Sequence, residues 1–295
     1  MYSLRILVLV NLCQYSFSFL QKSNRPNRFT HSYFQKNEPN FEDQEPKLSH
    51  YEEAQTIINQ HQGYGVLSTL SIKKKINGFP STSIVGFTCD EKGNPVFCLS
   101  KLASHTINVK KNNLVSFSTT EHYFKNANDY RISYTGRLHL INNTQEIKNL
   151  EKKFNYSHPD SFYTEFDDFK FYTLKSNQIS FNSGFGQAHN LNLTTYFNSK
   201  PDMINVHSDK YIIKLNKQFD IPINIFFQRK YYNVQNVEIK RIDKYGVSFR
   251  LYFQDNYFYT KTIKYPFKEK KSPEIFNLNL LESILIEELE YLLKY

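Results

Sequence analysis

Two sets of side chains in this sequence are of types that could do chemistry. The first set combines hydroxyl, ammonium and imidazole groups, which together can bind an oxyanion such as a phosphate: Ser83, Ser100, Lys101, His105 and Thr106. The second set offers imidazole and phenol groups, which can coordinate a transition metal: His189, His207 and Tyr211. Neither set has the spacing of a zinc site, a P-loop or an EF-hand. Their chemistry therefore depends on the elements that position them.

A third motif, the GxG formed by Gly184 and Gly186, comes where an alternating strand pattern ends. A dinucleotide-binding fingerprint needs a βαβ context and a further glycine three residues on. His189 occupies that place. We therefore interpret the two glycines as a tight backbone corner at the end of a strand.

Composition narrows the class of protein. Aromatic residues make up 16% of the chain and tryptophan is absent, a bias that favours half-buried sheet surfaces. The formal net charge is +9, but residues 1–37 hold five basic residues and no acidic one, and the remaining charge is spread thinly. A nucleic-acid-binding groove is therefore not expected. Three cysteines do not make a disulfide framework, and we interpret Cys89 and Cys98 as buried free thiols.

The start of the chain has the pattern of a two-part leader. Residues 1–18 contain a short basic start and an apolar run from Ile6 to Cys13, which is too short to span a bilayer and predicts a signal peptide. Residues 19–48 begin basic and hydroxylated, like a transit peptide, and end as a polar linker. The leader predicts delivery to a plastid by the secretory route, with plain secretion as the alternative. No other segment is apolar enough to predict a membrane span.

The pattern of residues 49–190 predicts a β domain. A capping box at Ser49 and Glu52 predicts a short helix, and strand patterns with Gly or Asn turns follow in close order. The last two of these patterns, FKFYTLK and QISFNSGF, predict two separate strands. Gly136 lies inside the longest of these strands and predicts a bulge. Six or more hairpin-connected strands with helices packed outside predict an antiparallel split β-barrel.

The residue pattern changes after residue 190, where closely spaced strand patterns give way to a mixture of helix and strand patterns. A helix is predicted from Pro201 to Phe219, two strand patterns follow, and an amphipathic helix is predicted from Ser272 to the end. The fold class is therefore expected to be mainly β with α+β: an antiparallel split barrel followed by a small α+β domain.

Six motifs in a fixed order now suggest a family: GYGVLSTLS, GFPSTSIVGF, PVFCLSKLASHTINVKKN, YRISYTGRLHLI, HPDSFYTEFDDFKFYTLK and SFNSGFGQAH. With these motifs the chain resembles the pyridoxamine 5'-phosphate oxidase-like, FMN-binding split-barrel family, and in particular its haem-utilisation branch. That branch includes the plastid glutamyl-tRNA reductase-binding protein. The segment after residue 190 is similar to the branch's C-terminal domain of unknown function. The resemblance implies a homodimer.

The resemblance implies specific roles for the two sets of side chains. The first set would line a flavin-type cleft, but the strand STSIVGF lacks the arginine that flavoenzymes of this superfamily usually place there, so the FMN site looks degenerate. The second set would contact haem. Both histidines of the family's C-terminal helix pattern are replaced, and no histidine follows His207, so the tail ligand of the bacterial haem degraders is missing.

These expectations combine into one functional hypothesis. The chain is expected to be a plastid haem or tetrapyrrole-metabolism protein of the non-catalytic kind, which docks a pathway enzyme such as glutamyl-tRNA reductase and has haem as its candidate ligand. The alternative is an oxidoreductase, either FMN-dependent or haem-degrading. The sequence leaves enzymatic activity open and indicates no catalytic residue.

Overall fold

The computed structural model describes residues 46–60, 63–254, 258–267 and 278–294. The predicted signal peptide, nearly all of the segment 19–48 and the predicted start of the last helix at Ser272 lie outside these residues.

Seven strands and four helices form the first part of the described chain. The capping box predicted at Ser49 and Glu52 is present and begins the first helix. The elements are α1 His50–Asn59, β1 Gly63–Leu70, β2 Pro80–Cys89, β3 Pro95–Ser100, α2 Ser104–Lys111, β4 Leu114–Thr120, β5 Arg131–Leu140, α3 Thr144–Ser157, β6 Phe169–Gly184, β7 Gln187–Leu191 and α4 Leu193–Asn198, with single 3₁₀ turns at Lys74–Ile76 and Phe162–Glu165.

The strands close into a barrel. Their order is β3-β2-β1-β4-β5-β6-β7, and a further pairing of β3 with β6 closes a ring of six strands that β7 extends. All of these pairs are antiparallel. The predicted antiparallel barrel is confirmed. One detail differs, because β6 is a single strand of 16 residues where the sequence predicts two.

Aromatic side chains fill the inside of the ring. Phe117 lies at its centre, with ring centroids 5.0 Å from Phe87, 4.9 Å from Phe97 and 6.3 Å from Tyr134. Helix α3 packs on the outside, where Phe154 joins a second cluster against β3 and β6. The barrel is therefore a packed core with a helix covering one part of its outer wall.

The second part of the chain is a three-stranded antiparallel sheet with helices. Its elements are α5 Met203–Lys230, β8 Val234–Asp243, β9 Gly246–Gln254, β10 Phe258–Pro266 and α6 Leu278–Lys294, with sheet order β10-β9-β8. Helix α5 continues past Pro222, although the sequence predicts an end near Phe219. Asn216 and Asn224 bind α5 to β8 on both sides of the predicted end, because the Oδ1 of Asn216 accepts from Ile239 N at 2.7 Å and the Oδ1 of Asn224 accepts from Val237 N at 2.9 Å. The predicted small α+β part is confirmed.

A buried group of charges joins the two parts. We call Glu121, Asp129, Lys240, Arg241 and Arg250 the charged joint. Asp129 Oδ1 accepts from Lys240 Nζ at 2.6 Å and from Arg250 Nη2 at 2.5 Å. Glu121 lies 3.2 Å from both Lys240 Nζ and Arg241 Nε. The loop between β4 and β5 is thereby bound to the three-stranded sheet.

No helix among the described residues is long and apolar enough to cross a membrane.

Candidate functional site

The oxyanion-binding set divides into two places with different partners. At the first, His105 on α2 places Nδ1 3.2 Å from Ser83 Oγ on β2. His105 Nε2 and Thr106 Oγ1 are buried and have no hydrogen-bond partner among the described residues. Burial lowers the pKa of His105, so its imidazole is neutral at physiological pH. A neutral imidazole does not supply the positive charge that a flavin phosphate needs.

At the second place, Ser100 is held by a turn. Its hydroxyl donates to Asp168 Oδ2 at 2.5 Å and accepts from Leu102 N at 3.1 Å. The Lys101 backbone N–H donates to Asp168 O at 2.7 Å, while its side chain is exposed. The Asp168 carboxylate therefore accepts the hydrogen bond of the Ser100 hydroxyl, the group that the resemblance assigns to binding a phosphate. The flavin-type cleft stays a prediction, and no arginine is among the hydrogen-bond partners given above for Ser83, Ser100 and His105 within the described residues.

The haem set is spread over two elements. His189 lies on β7, and its ring stacks on His50 with centroids 3.8 Å apart. His50 Nδ1 lies 3.1 Å from Glu53 Oε2, which ties this histidine pair to α1. Burial and the neighbouring His50 lower the pKa of His189. The two half-buried histidines offer imidazole nitrogens that can coordinate a metal. The sequence analysis did not identify His50, because its partner His189 is more than a hundred positions away along the chain.

His207 and Tyr211 lie four residues apart on α5, so they share one face of that helix. His207 is half-buried, and Tyr211 packs at the edge of the core that α5 forms with the three-stranded sheet. Two residues before His207, the Asn205 amide donates to Ile242 O at 3.1 Å, which fixes the start of the helix on β8. The haem-contact roles of His189, His207 and Tyr211 stay predictions.

A groove of about 460 Å³ lies on the outer face of the barrel. We call it the outer groove, and residues that line it include Ser68, Leu70, Pro80, Leu114, Ser116 and Arg137. Register explains its make-up, since Leu70 pairs with Pro80, Ser68 with Ser116, and Leu114 with Arg137 across neighbouring strands. Side chains alternate along a strand, so these residues share the face that points away from the core.

Charge and polarity are distributed unevenly in the outer groove. Leu70, Pro80 and Leu114 form an apolar wall, and the serines add hydroxyl groups. Arg137 is exposed at one edge, where its Nη1 donates to Asn113 Oδ1 at 3.1 Å. The arrangement can hold a flat apolar molecule that carries an anionic group at one edge.

A larger groove of about 980 Å³ lies in the second part of the chain, between α5, β10 and α6. Its lining includes Ile225, Phe226 and Lys230, and Lys230 Nζ donates to Tyr265 OH at 2.8 Å. No residue of either predicted set lines this groove or the outer groove. No cluster of three or more potential metal ligands occurs within the described residues.

The ring of six strands, the grooved outer wall and the appended sheet define a class, the split-barrel proteins with a C-terminal α+β domain. The chain belongs to the CREG beta-barrel family, whose profile matches residues 45–198. The resemblance inferred from the six motifs is thereby confirmed.

Two relatives carry the comparison further. Over 147 residues the chain is 30% identical to "Non-canonical heme oxygenase HOZ, chloroplastic" from Arabidopsis thaliana. The match covers 50% of this chain and 44% of that protein, so the chain spans less than half of the relative's length. The structure of a heme binding protein from Mycobacterium smegmatis is similar at a TM-score of 0.53 and 18% identity, over 83% of this chain and 99% of that one. This second likeness shows the fold.

Proposed function

We propose that the chain is a haem-binding protein of plastid tetrapyrrole metabolism and that haem lies in the outer groove. The observation that carries the proposal is the outer groove itself, an apolar wall edged by Arg137. It is supported by the 30% identity to a protein whose name is that of a chloroplastic heme oxygenase. The plastid location rests on that name and on the leader pattern.

The residues present fit the group. A porphyrin is a flat apolar ring with two carboxylates on one side, so it needs an apolar wall and a cation at one edge. Leu70, Pro80 and Leu114 supply the wall, and the Arg137 guanidinium can pair with a carboxylate in a bidentate geometry. The groove lining contains no His, Cys, Met or Tyr. An iron ligand would therefore come from elsewhere, and His189, His207 and Tyr211 remain our candidates.

A second copy of the chain completes the site in this proposal. The outer face continues beyond the groove with Val66 and Ile84, which pair across β1 and β2 and are both exposed. Exposed apolar patches of this kind mark interaction surfaces. We propose a homodimer that brings two such faces together over the haem, with a role in docking a pathway enzyme such as glutamyl-tRNA reductase and with no catalysis of its own.

The test is a haem titration followed by the Soret band. Arg137→Ala is expected to weaken binding about tenfold, because a carboxylate loses its charge-assisted partner. Arg131→Ala is the matched control, since Arg131 is on the same strand and donates to Ala127 O at 2.9 Å. Leu114→Glu places a carboxylate in the apolar wall and is expected to weaken binding further. Binding that is unchanged in both Arg137→Ala and Leu114→Glu would remove haem from the outer groove.

A haem-degrading enzyme is the second candidate, and the name of the Arabidopsis relative favours it. Adding a reductant and oxygen to the haem complex separates the two. A Soret band that persists supports a binding protein, whereas its loss together with a bile-pigment spectrum supports an oxygenase. Protein that is yellow as purified would support the flavin alternative. Loss of the Soret band in His207→Ala but not in His189→Ala would identify the iron ligand.

A further inference from the structure

A lysine amine and a buried thiol meet at the end of β2, away from the outer groove. Lys153 on α3 places its Nζ 3.2 Å from Cys89 Sγ and donates to Cys89 O at 2.9 Å. Cys89 is 1% exposed, and its thiol donates to Asn59 Oδ1 on α1 at 3.0 Å. Three elements thus hold the nitrogen and the sulfur in contact, and the haem-binding proposal uses neither atom.

Each hydrogen bond orients one reacting atom. The Cys89 O and Asn59 Oδ1 acceptors fix the amine, with Lys153 Nζ 3.4 Å from Asn59 Oδ1. The S–H points to Asn59, so the sulfur presents a lone pair to the amine. The other buried free thiol, Cys98, has no hydrogen-bonded lysine amine among the described residues. The pair is therefore a particular juxtaposition rather than a general property of the buried cysteines.

We propose that Cys89 and Lys153 form a covalent nitrogen–oxygen–sulfur bridge when the protein meets hydrogen peroxide. One peroxide oxidises the thiol to a sulfenic acid and leaves as water. A second peroxide removes two electrons from the amine nitrogen, the sulfenyl oxygen bonds to that nitrogen, and two more waters leave. In sum one thiol, one amine and two peroxides give one S–O–NH bridge and three waters.

Geometry favours the bridge over a direct sulfur–nitrogen bond. An oxygen between the two atoms spans most of their present separation of 3.2 Å, whereas a direct bond would require a larger displacement of both side chains. Lys153 is only half-buried, so the pair lies at the edge of the core, where a molecule the size of peroxide can approach. The bridge would fasten α3 to β2 covalently.

Burial raises the pKa of the Cys89 thiol, although the adjacent Lys153 works in the opposite direction. The thiolate is the reactive form, so little of it is present at neutral pH. Bridge formation is therefore expected to be slow at pH 7 and to accelerate as the pH rises toward the pKa of the thiol.

The experiment uses the full chain, reduced and then treated with hydrogen peroxide, digested without reductant and analysed by mass spectrometry. The expected product joins the Cys89 and Lys153 peptides, weighs one oxygen more and two hydrogens less than the two together, and reverts with dithiothreitol. Cys89→Ser and Lys153→Arg are each expected to abolish it. Lys152→Arg, which changes the exposed neighbouring lysine, and Cys98→Ser are the matched controls and are expected to keep it.

Two results would overturn the proposal. One is Cys89 carrying two or three oxygens with no joined peptide in folded protein. The other is a joined peptide that forms equally in urea-unfolded protein, since the bridge depends on the folded contact. Circular dichroism of each variant before oxidation separates a lost bridge from a lost fold.

Discussion

Asp129 is the residue on which the charged joint depends. Its carboxylate accepts from both Lys240 and Arg250, and all three side chains are 1% exposed. Burying charges is costly, and the cost is recovered only when each charge has its partner. Nothing in the sequence indicated this arrangement, because Asp129 and Lys240 are 111 positions apart. Local patterns predict which residues are charged, but only the packed structure shows which charges share a site.

Asp129→Asn is therefore expected to lower the free energy of unfolding by about 3 kcal/mol, because it removes the carboxylate that two buried cations share and leaves Lys240 with Glu121 and Arg250 with Glu238 as their remaining anions. Urea denaturation measures the change. Asp160→Asn, at an exposed position, is the control and is expected to change stability little. Equal stability of the two variants would show that the joint contributes nothing.

The same residue predicts a pH dependence. Burial acts to raise the pKa of Asp129, but hydrogen bonds from Lys240 and from backbone N–H groups outweigh it and hold the pKa below its usual value. A lowered folded-state pKa stabilises the protein above the unfolded value of about 3.9, and this contribution is lost as the pH falls through the folded value. The stability difference between wild type and Asp129→Asn should therefore shrink in urea titrations below about pH 4. A difference that stays constant into acid would contradict this.

At the scale of elements, β5 and β6 form the longest pairing of the barrel, and its register shifts beside Gly136. Thr135 pairs with Gln178 and Gly136 with Ser176, so the extra residue is Asn177 on β6, opposite the glycine at which the sequence predicted a bulge. The sequence did not predict that β6 is continuous, because its polar middle around Ser176 and Asn177 has the composition of a turn. Pairing with β5 keeps that middle extended. Strand patterns are local and predictable, whereas continuity depends on the neighbouring strand.

Gly136→Ala tests this close approach. A Cβ on residue 136 would lie 2.1 Å from Lys175 O, a backbone atom that cannot move without disturbing β6. We expect a loss of about 2 kcal/mol in unfolding free energy, measured by chemical denaturation. Gly184→Ala is the matched control, because there the nearest atom is Gln187 Oε1 at an ordinary 3.6 Å. If both substitutions cost the same, the close contact is not what requires glycine.

At the scale of the whole molecule, hairpin spacing and the change of residue pattern after residue 190 predicted a barrel followed by an α+β part. The outer groove could not be predicted in this way, because the register of β1, β2, β4 and β5 brings its residues together. Arg137 was visible in the sequence, but its position beside Leu114 and Leu70 was not. The candidate site therefore depends on strand register, which local sequence patterns do not show, whereas the fold class follows from those patterns.

The outer face also predicts an assembly. Ile84 is 77% exposed on this face beyond the outer groove, and we expect Ile84→Asp to convert the proposed dimer into a monomer by placing a charge in its interface. Sedimentation velocity at several concentrations measures the mass. Ile213→Asp on α5 is the control, since Ile213 is 62% exposed but lies on the other part of the chain. A wild-type chain that sediments as a monomer at every concentration would contradict the homodimer.

Ring closure between β3 and β6 has a consequence for how the protein behaves when crowded. Closure removes the open edge where β3 pairs with β6, but β2 pairs with β3 only over residues 87–89. Within the described residues, the stretch 81–86 of β2 therefore has a strand partner on one side only, and β7, β8 and β10 end a sheet. Strand β7 is rich in amide and imidazole side chains, and β10 carries Lys261 and Lys264, charges that discourage such growth. Ring closure and these side chains therefore reduce the backbone open to strand addition to a few short stretches.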